Sequence, residues 1–146
     1  MRALSLTQPW ATLVAVGAKQ LETRSWPTTY RGELAIHASS RFPRDCKDLC
    51  HDEPFLSALT EAGIGRVTDL PIGAIVAVAT LTDCIWITHQ NAPGGDEYLF
   101  GDYTPGRFML RLENVLKLDR PVPAKGALGF WTMPEEVERV VREQIA

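Results

Sequence analysis

Gly17-Ala18-Lys19-Gln20-Leu21-Glu22-Thr23-Arg24 is the stretch on which the reading of this chain turns. Upstream of it, Trp10, Leu13, Val14 and Gly17 recur at helical spacing. Gly17 fits the left-handed residue that closes a helix. Downstream, residues 20–26 read as a strand, ended by Pro27-Thr28-Thr29. Glu22 and Arg24 are two apart on that strand and therefore share a face. Lys19 follows the turn directly, where it can lean over the end of the sheet. A cation–carboxylate–cation set of this kind can hold a base edge and a phosphate together, because Arg offers a planar donor fork and Lys a mobile point charge. The carboxylate can accept from an exocyclic amine. The same set would also serve as an ion-pair network that locks helix to sheet.

Outward from this run, the pattern is one of strands with few helices. Arg2–Leu6 alternates and reads as a strand. Thr7 is placed as an N-cap, with Pro9 in the first helical turn. Gly32–Ala38 reads as a strand, with Leu34 and Ile36 on one face. Residues 41–69 are polar and broken by Pro43 and Pro54, and they read as an insertion with short helices near 45–50 and 54–62. Residues 74–81 form an apolar, β-branched strand, with 83–87 open as its continuation. Residues 91–96 are a loop carrying Pro93-Gly94-Gly95. Residues 107–118 alternate through Phe108, Leu110 and Leu112 as a long strand, and 126–131 make a tight apolar return. Thr132 and Glu135 suggest a capping box before a last helix at 134–144. Five or six mixed strands with an early helix, a helical insertion and a late helix predict one α+β domain over residues 1–146, built on a small β-barrel.

Composition narrows the function classes. The chain has 146 residues, 45% hydrophobic and 23% charged, enough for a core without staples. No apolar run approaches the ~20 residues of a membrane span, and no signal-peptide pattern is present at the start, so a cytoplasmic protein with no membrane partner is expected. Cys46, Cys50 and Cys84 read as reduced thiols. Cys46, Cys50 and His51 lack the four placed ligands of a zinc site, so no metal is expected. Gly94-Gly95 is a turn, not a phosphate loop, and no cofactor motif is visible. Net charge is −3, yet residues 1–50 carry seven Lys/Arg against four Asp/Glu. That asymmetry favours a nucleotide-sized ligand or a short strand over a long duplex. The sequence carries no signal for oligomeric state.

Ser5-Leu6-Thr7-Gln8-Pro9-Trp10-Ala11 followed by the Gly17–Arg24 run resembles the ASCH domain family, which is related to PUA domains. The family signature Gly-x-Lys-x-x-Glu-x-Arg is met at Gly17, Lys19, Glu22 and Arg24. Tyr30-Arg31-Gly32, Ile36-His37-Ala38, Pro71-Ile72-Gly73-Ala74, Gly106-Arg107-Phe108 and Leu112-Glu113-Asn114-Val115 extend the resemblance along the chain. It implies a PUA-like β-barrel with helices at its mouth and a cleft facing RNA or a nucleobase. Family members include a bacterial amidohydrolase of acylated cytidines and proteins proposed to bind or cut RNA. The hydrolases pair a Lys with a Thr three residues later and a Glu on a central strand. Here Lys19 matches, Glu22 stands in place of the Thr, and residues 74–81 hold no carboxylate.

Two functions follow. In one, the pocket binds RNA or a modified nucleoside or nucleotide through Lys19, Glu22 and Arg24, with Trp10 as stacking plate. In the alternative, the same pocket hydrolyses an amide on an acylated cytidine or cytosine, with Lys19 and Glu22 as the base/acid pair around a water, or cleaves RNA. The acidic last helix leaves a protein-interaction role open as a third idea. Trp26 ends the motif strand and is the second stacking candidate. Gln8 can read a base edge or cap local backbone. Tyr103 can bond ligand or cap its loop, and Arg107 can meet phosphate or a surface carboxylate. His37 reads as a structural histidine, and Trp131 as core beside Leu128 and Phe130.

Overall fold

The computed structural model describes all 146 residues. Six strands form one mixed sheet: β1 (Arg2–Leu6), β2 (Leu21–Arg24), β3 (Gly32–Ala38), β4 (Ala74–Trp86), β5 (Phe108–Pro123) and β6 (Phe130–Thr132). Their order is β2-β5-β4-β3-β1-β6. Only β1 and β3 run parallel. The sheet curls into a half-barrel, of the α+β class the pattern predicted and the PUA-like form the resemblance implied, with β2 and β6 as free edges. The helices are α1 (Trp10–Ala15), α2 (Arg44–Leu49), α3 (Phe55–Glu61), α4 (Gly95–Leu99) and α5 (Glu135–Ile145), with a 3-10 turn at Val67–Asp69. No helix is long and apolar enough to cross a membrane.

Both faces of the sheet are covered, so its central strands are apolar throughout rather than alternating. Leu4, Leu6, Leu34, Ile36, Leu81, Leu110 and Leu112 pack beneath Ala11 and Val14 of α1. On the other face, Ala3, Ala35, Ile75, Val78, Leu118 and Val122 pack against Met133 and Val141, the latter on α5. Bulges let the two long strands serve both cores. The β4–β5 register slips between Ile75 and Ala77, so Ile75 and Val78 face the same way although three residues apart. In β5, Leu110 and Leu112 face the α1 side but Leu118 and Val122 the α5 side. Between them Asn114 adopts φ +50°, the left-handed region, within the irregular β4–β5 pairing. The single alternating strand predicted over 107–118 therefore runs on to Pro123 and changes phase on the way.

Other local expectations needed revision. α1 starts after Pro9, and its cap comes from Gln8, whose Oε1 accepts the Thr12 N–H at 3.0 Å, rather than from Thr7. No side-chain cap bond forms at the start of α5, where Thr132 belongs to β6 instead. Of the stretch read as loop at 91–96, Gly95 and Asp96 already belong to α4. Residues 41–69 have a core of their own. Phe55, Leu59, Cys50 and Leu70 pack with Phe100 onto Leu13 of α1.

Candidate functional site

Gly17 adopts φ +82° and ends the α1 segment, as its position suggested. The Lys19 N–H then donates to the Leu13 carbonyl at 3.0 Å, which ties the start of β2 back to the helix. This turn tucks Lys19 inward rather than over the sheet end, leaving it 1% exposed. Its Nζ donates to the Leu21 carbonyl and lies 3.1 Å from Glu22 Oε1. On the far side of the carboxylate, Arg24 Nε donates to Glu22 Oε2 at 3.0 Å. Glu22 is thus held between a buried ammonium and a half-buried guanidinium. Arg24 also reaches across the open side of the curl, where its Nη2 donates to the Ser5 carbonyl at the end of β1 at 3.0 Å. The edge strand is fixed from outside as well. Glu97 of α4 accepts the Gln20 N–H at 2.7 Å, which satisfies a donor that would otherwise stand free on the edge.

Glu22, Thr23 and Arg24 form one wall of a cleft of about 470 Å³. Ser5, Leu6 and Thr7 at the end of β1 form its floor, with Trp10 beside them. Leu49 and Phe55 of the insertion and residues 99–102, the last of which bonds to Thr23, complete the lining. The insertion thus contributes to the cleft through Leu49 and Phe55. Trp10 is fixed twice: its Nε1 donates to the Phe100 carbonyl at 2.7 Å, and its ring meets Phe55 edge-on at 6.0 Å.

The model of the ASCH domain matches residues 4–113. Activating signal cointegrator 1, from mouse and from human, is 33% identical over 136 residues, 93% of this chain. The chain spans 23% of the length of those relatives. Among solved structures, ASCH from Zymomonas mobilis superposes with a TM-score of 0.55 at 14% identity, covering 97% of this chain and 93% of that one. A point mutant of that protein gives 0.58 at 14% identity, covering 97% and 96%. These two likenesses concern the fold. The chain belongs to the ASCH domain family. The family is linked to RNA binding.

In this ASCH domain the signature residues Lys19, Glu22 and Arg24 do come together, but only Glu22 and Arg24 line the cleft. Lys19 stands behind Glu22. The remaining residues singled out from the sequence fall in different places. Gln8 is fully buried, with Oε1 on Thr12 and Nε2 donating to the Pro71 carbonyl at 2.8 Å. Trp26 lies outside the cleft and packs edge-on against Phe130 at 5.2 Å. Tyr103 is buried behind the 99–102 wall, stacked on Tyr98, and its hydroxyl has no partner. Burial, with Glu97 and Glu22 nearby, pushes its phenol well above the usual range. Arg107 braces the wall from outside, donating from Nε to the Asp102 carbonyl at 3.1 Å. Hydrogen bonds from Thr104, with Arg107 beside it, hold the Asp102 carboxyl below the usual carboxylate range.

The Lys–Thr–Glu set of the acylcytidine hydrolases is not assembled. Thr23 Oγ1 accepts the Asp102 N–H at 3.2 Å, and the first carboxylate of β4, Asp83, pairs with Arg31 at 3.6 Å and Arg111 at 3.8 Å. Sequence reasoning missed Leu49, Phe55 and residues 99–102 as cleft walls, because they reach it only through packing of the insertion and α4.

His37 is 2% exposed and fully bonded. Its Nε2 lies 2.7 Å from the Ala124 carbonyl, which can only accept, so that nitrogen carries the proton. Nδ1, 2.9 Å from Ser5 Oγ, then accepts the serine hydroxyl, and Ser5 Oγ accepts from Trp131 Nε1 at 3.1 Å. Trp131 is half-buried and packs on His37, while Leu128, read as its apolar neighbour, is 98% exposed.

Proposed function

We propose that this ASCH domain binds RNA or a nucleoside or nucleotide, modified or not, with a base held in the cleft between β1, β2 and the insertion. The observation that carries the reading is the Glu22–Arg24 pair at the wall of a cavity of about 470 Å³ that also holds Trp10. The paired side chains offer an acceptor and donors side by side, the complement of a base edge with an exocyclic amine next to a ring acceptor. Trp10, fixed by Phe100 and Phe55, serves as a stacking plate that loses little freedom on binding. Lys19 and Gln8 act as positioning residues. Lys19 holds Glu22, and Gln8 joins α1 to Pro71.

Binding is better supported than hydrolysis. The Lys19 ammonium is enclosed, with its contacts directed to Glu22 and the Leu21 carbonyl. To serve as a base toward substrate it would have to abandon both. Titration of the pure protein with a nucleoside panel and short single-stranded RNA, followed for both heat of binding and product, tests the two readings together. Cytidine- or adenosine-type ligands are expected to bind without turnover. Arg24→Gln should weaken them by about tenfold, the scale of a hydrogen bond to a charged group. Trp10→Leu should weaken them by ~1–3 kcal/mol, the worth of one base stack. Turnover of an acylated cytidine that disappears in Lys19→Ala and Glu22→Ala would establish the hydrolase instead.

A further inference from the structure

A second basin adjoins the cleft, and the two share Ser5, Thr7 and Arg24. It encloses about 730 Å³ between the end of β3, Gly73 and the loop 124–129 that joins β5 to β6. The chemistry of its walls differs from that of the cleft. The cleft carries two carboxylates, Glu22 and Asp102. The basin carries none, although the chain has 18 acidic against 15 basic side chains. Its polar lining consists of Arg24, Lys125, His37 and the hydroxyls of Ser5, Thr7, Ser39 and Ser40. His37 and Ser5 are already bonded to each other, which leaves Arg24 and Lys125 with the hydroxyls of Thr7, Ser39 and Ser40, a set free of carboxylates that suits an anion.

Unused donors point the same way. Arg24 spends Nε on Glu22 and Nη2 on the Ser5 carbonyl, but its Nη1 has no partner within the protein. In the loop, the Ala124 N–H is bonded to the Gly73 carbonyl, whereas the N–H groups of Lys125, Gly126, Ala127 and Leu128 have no intramolecular acceptor. The loop backbone comes close to the floor at Gly126. A Cβ there would stand 2.6 Å from Ser5 Oγ and 2.6 Å from His37 Cε1, so only glycine permits the approach. Backbone N–H groups without a partner, on a loop that lines the basin beside two cationic side chains, are donors available to a phosphate.

We propose that this basin is an anion site that takes the phosphate of a nucleotide whose base occupies the adjoining cleft. Arg24 is shared by the two compartments, and Lys125 supplies the second charge. The inference rests on the base-binding reading of the cleft and narrows it from nucleosides to phosphorylated ligands. A terminal phosphate and the phosphodiester of a single strand present the same chemistry to the basin.

The test compares cytidine and adenosine, their 3′- and 5′-monophosphates, a dinucleoside monophosphate and inorganic phosphate, on the full chain and on Lys125→Glu, by calorimetry and amide NMR. Lys125 is an exposed loop residue, so the variant leaves the core intact. A monophosphate should bind at least about tenfold more tightly than its nucleoside, as expected for charge-assisted hydrogen bonds. Lys125→Glu should remove that advantage and leave nucleoside affinity unchanged. Inorganic phosphate alone should shift the amide resonances of residues 125–128. Resonances that stay in place under phosphate, or a nucleotide advantage that survives Lys125→Glu, would overturn the inference. A loop that responds to phosphate beside a cleft that ignores every nucleoside supports the anion site and overturns the base-binding reading. A dinucleoside monophosphate that matches the mononucleotide identifies a strand as the source of the phosphate, and one that binds like the bare nucleoside identifies a terminal phosphate.

Discussion

Glu22 is the residue on which the signature depends, and its two partners are not equivalent. Lys19 is 1% exposed, and Arg24 has 23% of its side chain exposed. Removing the carboxylate strands a buried ammonium, so Glu22→Ala should cost about 3 kcal/mol in chemical denaturation. Lys19→Met removes the buried charge itself and leaves Glu22 paired with Arg24, so it should cost about 1 kcal/mol or less. Equal losses in the two variants would mean that the ion pair contributes as a unit, contrary to this geometry. Tyr103 presents the opposite case. Its buried hydroxyl has no partner, and Tyr103→Phe removes a desolvated polar atom while keeping the ring. The variant should match or exceed wild-type stability to within about 1 kcal/mol. A clear drop in melting temperature would show that the hydroxyl is bonded in solution.

At the scale of elements, the link between β1, β3 and the 124–129 loop is a titratable one. His37 joins Ser5 on β1 to Ala124, and its desolvation, partly offset by the Ala124 bond, lowers its affinity for a proton below the usual value of 6.5. Between the two values the unfolded chain binds more protons than the folded one, so stability rises with pH there. The link is therefore complete above pH 6.5 and weakens as pH falls below it toward the folded-state value. Protonation would also place a hydrogen on Nδ1, which then could no longer accept from Ser5. Melting temperature should fall between pH 7 and pH 5, and His37→Gln should flatten that slope. An unchanged slope in the variant would assign the pH dependence elsewhere. The short edge strand β2 is held in a different way, by Glu97 on its backbone and by Arg24 reaching to β1. Only the strand pattern of β2 was legible in the sequence, because both clamps join residues far apart in the chain.

Across the whole molecule, charge bears on the length of nucleic acid that the proposed site would take. The net charge of −3 opposes a long polyanion, and the acidic excess lies after residue 50. With Arg24 and Lys125 as the two cations that meet phosphate, the slope of log affinity against log salt for a short single strand should be roughly −1 to −2. A slope of about −5 or steeper would show that a longer track of basic residues is engaged. The insertion matters at this scale as well. Its small core, centred on Phe55 and Leu59, packs on the same helix that carries Trp10, and through Leu49 and Phe55 it completes the lining of the cleft.

The division between what was legible in the chain and what was not follows from the range of the interactions. Local chemistry determined the strands, the left-handed stop at Gly17, the shared face of Glu22 and Arg24, and the two short helices of the insertion. Each rests on residues within a few positions of one another. The signature run that marks an ASCH domain is equally local. The direction of Lys19, the phase change at Asn114, the half-barrel's free edges and the cleft wall from Phe55 and residues 99–102 were decided only by tertiary packing. Backbone bonds between distant segments and two cores competing for the same strands set those features, and no periodicity in the chain encodes them. Lys19 shows the difference most plainly. Its place in the signature is a matter of sequence, but whether it faces ligand or stands behind Glu22 depended on how the turn after Gly17 bonds back to Leu13.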